Sequence, residues 1–352
     1  MAGKYRDILK EIQDEHREFM RARTPPVHRE LLEAVKKRNA VKVERLLTRG
    51  VDIHMKDPSG NPLLNVVSQT HSSGDGTDAV KIMKMLLYFG ADPDECDIFG
   101  RTALHLAAAK NSKLVQALLE AGCSTNRQDN AGRTPLMEAC ASNAPDAFVT
   151  VTMLMDWNGY VALQDEEGAT ALHCVCMNRK QNRFVRNEIV MKLLLAGLSA
   201  GVCDKAAKMA LCYELDQFVN GPQDMQFNEA SFRVAQTLLH AGARFNPRLK
   251  QHQRWIKMVA NFSSVDLLRH LLRIAEPTLP LSTLKTLPNL TKSVEDENGL
   301  FQKHLRTLSR HVRSLQELSR LVIREMLKGK VLPSVPLLPL PPKLQSYLTL
   351  ED

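Results

Sequence analysis

Short apolar segments recur in pairs along most of this chain, each with the three- and four-residue spacing of a helix that buries one face. In the clearest pair, a small apolar segment at 104–108 is followed by a longer one at 114–119. The apolar positions of the longer segment are Leu114, Val115, Leu118 and Leu119. These lie at i, i+1, i+4 and i+5, which is the period of a helix face. Polar turns with Gly100 before the pair and Gly122 after it predict a helix–turn–helix unit.

The same unit returns twice at nearly constant spacing. Gly100, Gly132 and Gly168 mark the same point in three successive turns, 32 and 36 residues apart. Each turn is followed by a Thr-x-Leu box, which ends in histidine at His105 and His173. A turn, a T-x-L-H box and a closing L-L-x-x-G at a period of about 33 residues form the signature of ankyrin repeats. The chain therefore resembles ankyrin repeat proteins, which implies an all-α repeat solenoid that binds other proteins.

Residues of the repeated motif have identifiable local roles. We expect Thr102 and Thr134 to be helix N-caps, whose hydroxyls accept hydrogen bonds from free backbone N–H groups. Pro135 fits the first helical turn, where its missing N–H costs nothing. Gly122 is expected just past the end of the second helix, where a positive φ is needed. The histidines of the motif are expected to hydrogen-bond between adjacent turns.

Weaker copies of the motif extend the array to about seven repeats over residues 27–275. The last copy, at about 247–275, is degenerate, as terminal repeats commonly are. Repeats of this kind must stack on one another, because a single unit cannot bury its own apolar face. An amphipathic helix within residues 1–26 is expected to cap the first repeat, with a place in a target site as the alternative.

Three insertions are expected between the two helices of a repeat, at 68–78, about 178–188 and about 213–230. Loops on a rigid scaffold often carry recognition. Surface loops also tolerate insertions that have no role. The sequence leaves both interpretations open.

The net charge of +8 is concentrated in the C-terminal third of the chain. Residues 1–243 hold 29 Lys and Arg against 30 Asp and Glu, whereas 244–273 hold 7 against 1 and 301–330 hold 8 against 2. Such basic segments can meet nucleic acid, acidic lipid or an acidic protein. Aromatic residues are sparse there and no nucleic-acid motif is present, so solvated helix faces beside an acidic protein partner are the preferred interpretation.

The cysteines and histidines do not form the pattern of a metal site or a catalytic centre. Cys174 and Cys176 lie on the first helix of a repeat, and no second C-x-x-C or H-x-x-x-H pair completes four zinc ligands. We expect buried thiols there, no cofactor and no enzymatic activity. The 7 cysteines, without a signal peptide or an apolar run of membrane-spanning length, predict reduced thiols in the cytoplasm, with the nucleus as a second compartment.

The repeat pattern ends before residue 276, and the chain changes character. A Pro- and Thr-rich linker and a connecting helix are expected over 276–311, and a separate helical domain over 312–352. One stripe of the first helix in that domain consists of Leu315, Leu318, Val322 and Met326. The Leu-Pro-Leu-Pro run at 338–341 must be extended, since proline neither continues a helix nor joins a central strand. Something must cover the apolar stripe: either another protein, or the end of the repeat stack itself, in which case the helix is a cap followed by a Pro-rich tail.

These two blocks resemble the SOCS box, and the whole chain is therefore similar to members of the ankyrin repeat and SOCS box family. The resemblance implies binding of Elongin C through the first helix, at Ser314, Leu315, Ser319 and Ile323. It implies binding of a cullin through Val335, Leu338, Pro339, Leu340 and Pro341. Ser319 stands where the family usually has cysteine. A hydroxyl without a partner in an apolar pocket costs about 1–3 kcal/mol, so weaker binding of Elongin C is expected.

The resemblance implies a non-catalytic substrate-recognition adaptor of a cullin–RING ubiquitin ligase. The ankyrin stack would bind a target protein. The C-terminal box would bind Elongin B/C and a cullin, expected to be the fifth, with its RING subunit. One alternative is an ankyrin scaffold that joins proteins without recruiting a ligase. Another is a regulator that binds nucleic acid or a membrane through its basic C-terminal third.

Overall fold

The computed structural model describes residues 25–69, 77–219 and 229–243. Within these ranges the protein forms twelve α-helices and no β-strand. Isolated β-bridges form in some of the turns before the first helices, for example between Cys96 and Thr102. The predicted all-α repeat fold is confirmed.

Several predicted segments lie outside the described residues. They are the N-terminal helix within 1–26, the degenerate seventh repeat, the linker over 276–311 and the C-terminal domain over 312–352. The described residues belong to two compact units, one ending at Tyr160 and the other beginning at Val161.

The first unit consists of four helix pairs. They are α1 (Pro26–Lys36) with α2 (Ala40–Leu47), α3 (Leu63–Gln69) with α4 (Thr77–Tyr88), α5 (Ala103–Ala108) with α6 (Ser112–Glu120), and α7 (Pro135–Cys140) with α8 (Ala147–Asp156). The first helices of successive pairs pack side by side, and so do the second helices. The core lies between these two layers, where Leu104, Val115 and Leu118 are fully buried. Each pair therefore covers the apolar face of its neighbour, as repeat stacking requires.

The second unit contains two helix pairs. They are α9 (Ala171–Met177) with α10 (Arg183–Leu195), and α11 (Ala210–Val219) with α12 (Glu229–His240). As in the first unit, α9 packs on α11 and α10 packs on α12. The small residues predicted on the first helices are buried, including Cys174 and Cys176. Their small volume allows adjacent first helices to approach closely.

The local roles predicted for the motif residues are confirmed. The Thr134 hydroxyl accepts a hydrogen bond from the Met137 N–H at 3.3 Å, and Pro135 occupies the first turn of α7. Gly122 has a φ of +80° just past α6, and its N–H donates to the Leu119 carbonyl at 2.9 Å. This is a C-terminal glycine cap, which satisfies a carbonyl that the helix leaves without an internal partner.

Two of the expected insertions are shorter than the sequence indicates. Helix α10 already begins at Arg183, so the prediction of an insertion extending to 188 was wrong. The Asn182 side chain accepts from the Phe184 N–H at 2.9 Å and caps this helix start. Helix α11 continues to Val219, so the third insertion does not begin at 213. In both places polar residues belong to helices, because tertiary contacts bury side chains that look exposed in the sequence.

Candidate protein-interaction site

A tight turn precedes the first helix of most repeats, and we call each such turn a finger. The fingers are residues 57–61, 97–101 and 129–133 in the first unit, and 165–169 and 204–208 in the second. Every finger begins with an aspartate whose carboxylate caps the turn. In the 97–101 finger, Asp97 Oδ1 accepts from the N–H groups of Phe99 and Arg101, both at 2.9 Å. The repeated aspartate therefore holds each finger in one conformation.

Neighbouring fingers are joined by a buried side chain at the position of the motif histidine. The Thr102 N–H donates to His105 Nδ1 at 3.2 Å, so Nε2 carries the ring proton. His105 Nε2 donates it to the Arg133 carbonyl of the next finger at 3.0 Å. The equivalent contacts are His173 with the Lys208 carbonyl and Asn65 with the Arg101 carbonyl. The prediction that the motif histidines bridge adjacent turns is confirmed.

Burial lowers the pKa of both His105 and His173 below the ordinary value of 6.5. The carbonyl groups that accept from these rings act in the opposite direction, but desolvation is the larger effect. Both histidines are therefore structural at neutral pH, because a neutral ring with one protonated nitrogen is the form that fits the hydrogen bonds.

The tip of the 97–101 finger presents two apolar side chains to solvent. Ile98 is 65% exposed and Phe99 is 55% exposed. Asn130 of the next finger holds this tip from behind, because its N–H donates to the Phe99 carbonyl at 2.9 Å and its Nδ2 donates to the Ile98 carbonyl at 3.1 Å. Gly100, which follows Phe99 in the chain, has a φ of +75°, and a Cβ at this position would lie 2.4 Å from Asn130 Oδ1. The tip is therefore a rigid apolar surface that is open to a binding partner.

One cationic group lies beside this tip, and a second lies at the opposite end of α5. The Arg101 guanidinium donates to Asp97 Oδ2 through Nε and Nη2, at 3.0 and 2.9 Å, and lies 4.9 Å from the centre of the Phe99 ring. At the far end of α5, Lys110 Nζ donates to the Gln69 carbonyl at 2.8 Å. Burial, and secondarily the positive charge of Arg101, lowers the pKa of Lys110. An acidic group on a partner would relieve this destabilised ammonium.

The fingers of the second unit carry a different set of charges. The Lys205 N–H donates to the Glu167 carbonyl at 2.9 Å and joins the two fingers of this unit. Lys208 Nζ lies 3.5 Å from Asp216 and 5.0 Å from the centre of the Tyr213 ring. Lys208 therefore already has an acidic and an aromatic partner, and the tip residues Glu166, Glu167 and Lys205 make this a polar surface with no exposed apolar tip like that of Phe99.

A buried ion pair lies inside the second unit. The Arg186 guanidinium donates to Glu214, and both side chains are almost fully buried. Burial raises the pKa of Glu214, and Arg186 opposes that shift. The pair connects α10 to α11 and does not open to solvent, so its role is structural.

The described part of the chain contains neither a candidate metal site nor a helix that could span a membrane. Within it, no group of three or more His, Cys, Asp and Glu side chains is placed to hold a metal ion. All seven cysteines lie in that part and none forms a disulfide bond, and burial raises the pKa of Cys176. No helix there has the length and hydropathy that crossing a bilayer requires.

The residues predicted to contact Elongin C and a cullin lie outside the described residues. They are Ser314, Leu315, Ser319 and Ile323 for Elongin C, and Val335, Leu338, Pro339, Leu340 and Pro341 for the cullin. Ile98 and Phe99 were not predicted from the sequence to be contact residues. A signal was available, because two large apolar residues stand in the middle of a turn, where the equivalent positions of the other fingers are polar or small.

Comparisons with known proteins find both parts of the predicted architecture. A family model for ankyrin repeats matches residues 70–157 with three copies, and a model for the SOCS box matches residues 311–349. Neurogenic locus notch homolog protein 1 of Homo sapiens is 36% identical over 106 residues, which cover 28% of this chain and 4% of that protein.

Two further relatives are similar over longer stretches. SH3 and multiple ankyrin repeat domains protein 2 of Homo sapiens is 28% identical over 171 residues, 48% of this chain and 9% of that protein. E3 ubiquitin-protein ligase KEG of Arabidopsis thaliana is 27% identical over 208 residues, 58% of this chain and 12% of that protein. This chain therefore matches only a small part of the length of each of these relatives.

Proposed function

This chain matches the ankyrin repeat and SOCS box family in both of its parts, and we propose that it is a substrate-recognition adaptor of an Elongin B/C–cullin–RING ubiquitin ligase. The observation that carries the proposal is the SOCS box at 311–349 on the same chain as ankyrin repeats. Ankyrin stacks bind proteins through their surfaces, and the box supplies the connection to a ligase. The cullin is proposed to be the fifth, together with its RING subunit.

All nine residues assigned to ligase contacts lie within the SOCS box match. We propose that Leu315 and Ile323 insert into Elongin C, with Ser314 and Ser319 on the same helix. In this proposal the Leu-Pro-Leu-Pro run at 338–341 contacts the cullin together with Val335. Proline restricts the backbone before binding, so little conformational entropy would be lost on binding.

The target is proposed to bind the fingers of the first unit. Ile98 and Phe99 form its apolar anchor, because they are exposed, adjacent and held rigid by Asn130. Rigid apolar residues make strong contacts, since few rotamers are lost on binding. Arg101, which lies over the Phe99 ring, favours a target segment that carries an acidic side chain next to an apolar one.

The chain itself performs no chemistry in this proposal. It holds target lysines near a charged ubiquitin-conjugating enzyme, and the rate gain comes from proximity. The proposed site of action is the cytoplasm, with the nucleus as a second compartment. Seven cysteines without a disulfide bond support this location, because thiols that are not cross-linked are typical of reducing compartments.

Capture of Elongin B/C by the purified full chain tests ligase recruitment. The comparison is between the wild type and a triple variant, Leu315→Ala with Leu338→Ala and Pro339→Ala. We expect the wild type to capture the complex and the variant to lose most of it. A matched control, Leu305→Ala, lies before the box and should capture normally. Absent capture by the wild type, or equal capture by the triple variant, would contradict the proposal.

Target binding is tested separately through the finger tip. Targets are identified by proximity labelling in cells with the proteasome blocked, and their recovery is compared between the wild type and an Ile98→Ala/Phe99→Ala variant. Because both side chains are exposed, the variant should keep its thermal stability within about 0.5 kcal/mol. We expect proteins labelled by the wild type to be depleted at least fivefold in the variant. Unchanged recovery of every labelled protein would rule out this tip as the anchor.

Ser319 favours a second candidate function, an ankyrin scaffold without ligase recruitment. If the hydroxyl weakens Elongin C binding enough, the chain would still join proteins through its repeats. The two functions differ in one outcome: the scaffold keeps target binding through Phe99 while capturing no Elongin B/C.

A further inference from the structure

A second exposed surface lies on the first unit, away from the fingers. The second helices α4, α6 and α8 pack side by side, and the loops that follow them lie together at one edge. The Ser124 N–H donates to Asp94 at 2.9 Å, and the Tyr160 N–H donates to Asn126 at 2.7 Å. The aromatic side chains exposed at this edge, here called the aromatic edge, are Tyr88, Phe89, Trp157 and Tyr160. Nothing in the adaptor function uses them.

The aromatic edge is notable because aromatic residues make up only 5% of the chain. Tyr88 is 87% exposed and Tyr160 is 66% exposed. Isolated exposed apolar residues are common on proteins, but Tyr and Trp grouped on one edge are characteristic of binding surfaces. Tyr88 and Tyr160 therefore each expose a large area that a partner can contact.

Local contacts hold these rings in place. Tyr88 and Phe89 pack edge to face, with ring centres 5.7 Å apart. Asn126 Oδ1 accepts from the Tyr160 N–H, and its Nδ2 donates to the Asn158 carbonyl at 2.9 Å, so the turn between Trp157 and Tyr160 is fixed to the preceding loop. A surface that is already ordered loses little entropy when a partner binds.

The charge of this edge favours a cationic partner. A helix C-terminus carries a partial negative charge, which a basic residue in the last turn ordinarily balances. None of α4, α6 and α8 has a basic residue in its last turn, whereas α1, α2 and α10 each have one. Instead α6 ends in Glu120 and α8 ends in Asp156, both exposed, and Asp92 follows α4.

The cations at the edge do not balance these charges. Lys84 bridges to Glu120 at 3.1 Å, and Arg127 lies on the loop after α6. The three exposed carboxylates and three helix C-termini therefore leave the edge acidic, although the whole chain has a net charge of +8. The positive charge of the chain is concentrated after residue 243, and distant charges are screened by salt, so the local carboxylates dominate the field at this edge.

We propose that the aromatic edge is a second docking surface that binds an extended, lysine- or arginine-rich segment of a protein partner. Cations bind over the faces of Tyr, Phe and Trp, and the neighbouring carboxylates pair with them. Packed helices lie 8–10 Å apart, so the Tyr88 and Trp157 groups are roughly 20 Å from each other. An extended segment of about six residues spans that distance. This surface is independent of ligase recruitment.

The probe is a peptide of four Arg-Gly repeats, with four Gln-Gly repeats as its uncharged match. The full chain is labelled with 5-fluorotryptophan, which reports on only two residues, Trp157 and Trp255. We expect the Trp157 resonance, assigned with Trp157→Phe, to shift saturably with the arginine peptide and not with the glutamine peptide. The variants Tyr88→Ala and Asp156→Asn should each weaken binding about two- to fivefold, as exposed cation–π and charge contacts do.

Two control variants test whether the effect is local. Phe184→Ala removes an exposed aromatic from α10, and Glu44→Gln removes an exposed carboxylate from the middle of α2, so both should bind as the wild type does. The proposal is overturned if Trp157 does not respond, if both peptides act alike, or if the controls weaken binding as much as the edge variants. Capture of Elongin B/C should be the same in all these variants, which separates this result from the adaptor proposal.

Discussion

Single side chains at one repeat position determine how neighbouring fingers are joined. His105, His173 and Asn65 each hydrogen-bond the carbonyl of the next finger, although imidazole and amide differ chemically. The position requires a donor of suitable length and not a particular residue. The difference affects how the stability of the repeats depends on pH, because only the two histidines can take up a proton.

The stability of the repeats is therefore expected to fall in mild acid. Burial lowers the pKa of His105 and His173 in the folded protein, whereas unfolding returns each to about 6.5. The stability gained from the neutral rings is fully present above pH 6.5, and it is lost as the pH falls from there towards the lower folded-state pKa. Urea unfolding between pH 7.5 and pH 5 measures this loss.

Asparagine at both positions provides the matched control. The His105→Asn/His173→Asn variant keeps an amide donor, as at Asn65, and removes both titrating rings. Its unfolding free energy should depend less on pH over the same interval. An equal slope in the two proteins would assign the pH dependence to other groups.

The buried pair of Arg186 and Glu214 leads to a second prediction. Arg186→Met leaves a buried carboxylate without its cation, which should cost about 3–5 kcal/mol of unfolding free energy. The double variant Arg186→Met/Glu214→Leu removes both charges and should recover most of that loss. Denaturant unfolding of the four proteins of this cycle gives the coupling energy. If the double variant is as unstable as Arg186→Met, the lost unfolding free energy does not come from the unpaired carboxylate of Glu214.

At the scale of the element, each finger requires one residue with a positive φ. Glycine occupies this position in four fingers, but the last finger has Ala207, with a φ of +56°. A left-handed conformation costs an alanine about 1–2 kcal/mol. The last finger is therefore strained, although its hydrogen bonds match those of the others, with the Ala207 N–H donating to the Asp204 carbonyl at 3.0 Å.

Replacing Ala207 with glycine should stabilise the second unit. The strain relieved exceeds the entropy cost of glycine, about 0.5–1 kcal/mol, so a net gain of up to about 1 kcal/mol is expected. The opposite change, Gly168→Ala, should destabilise the protein, because φ is +76° there and a Cβ would lie 3.1 Å from the Lys205 nitrogen. Thermal unfolding of both variants measures the two effects. A destabilised Ala207→Gly protein would contradict this explanation.

At the scale of the whole molecule, the proposals divide the chain between separate partners. The fingers are assigned to a target, the aromatic edge to a basic segment and the SOCS box to the ligase. Because an adaptor acts by proximity, its output depends on binding the target and the ligase at the same time. Under the adaptor proposal, the contact of the box with Elongin B/C is therefore one of the two contacts that limit the activity of the complex.

Ser319→Cys is expected to strengthen that limiting contact. Removing a hydroxyl that has no partner in an apolar pocket is worth about 1–3 kcal/mol, which corresponds to about fivefold tighter binding of Elongin B/C or more. Calorimetric titration of the full chain measures the change. Ser309→Cys adds a thiol just before the box and should leave the affinity as it is. A Ser319→Cys affinity equal to that of the wild type would place residue 319 outside the contact.

The repeat array was readable from the sequence because its signals are local. Thr134, Pro135 and Gly122 act within one or two turns of chain, so their roles follow from their immediate neighbours. The extent of α10 could not be predicted in the same way. Arg186 reads as a surface residue, and only its contact with Glu214, 28 positions away, places it inside the protein.

The sequence by itself determined the period of the repeats, the helix ends marked by Thr134, Pro135 and Gly122, and the presence of a SOCS box, because each depends on residues close together in the chain. The tertiary structure decided which apolar residues remain in solvent. Ile98 and Tyr88 are as hydrophobic as many core residues, and they are exposed because stacking covers one face of each repeat and leaves the finger tips and the helix ends uncovered. Both proposed surfaces therefore depend on packing between repeats, which acts over distances that no local pattern records.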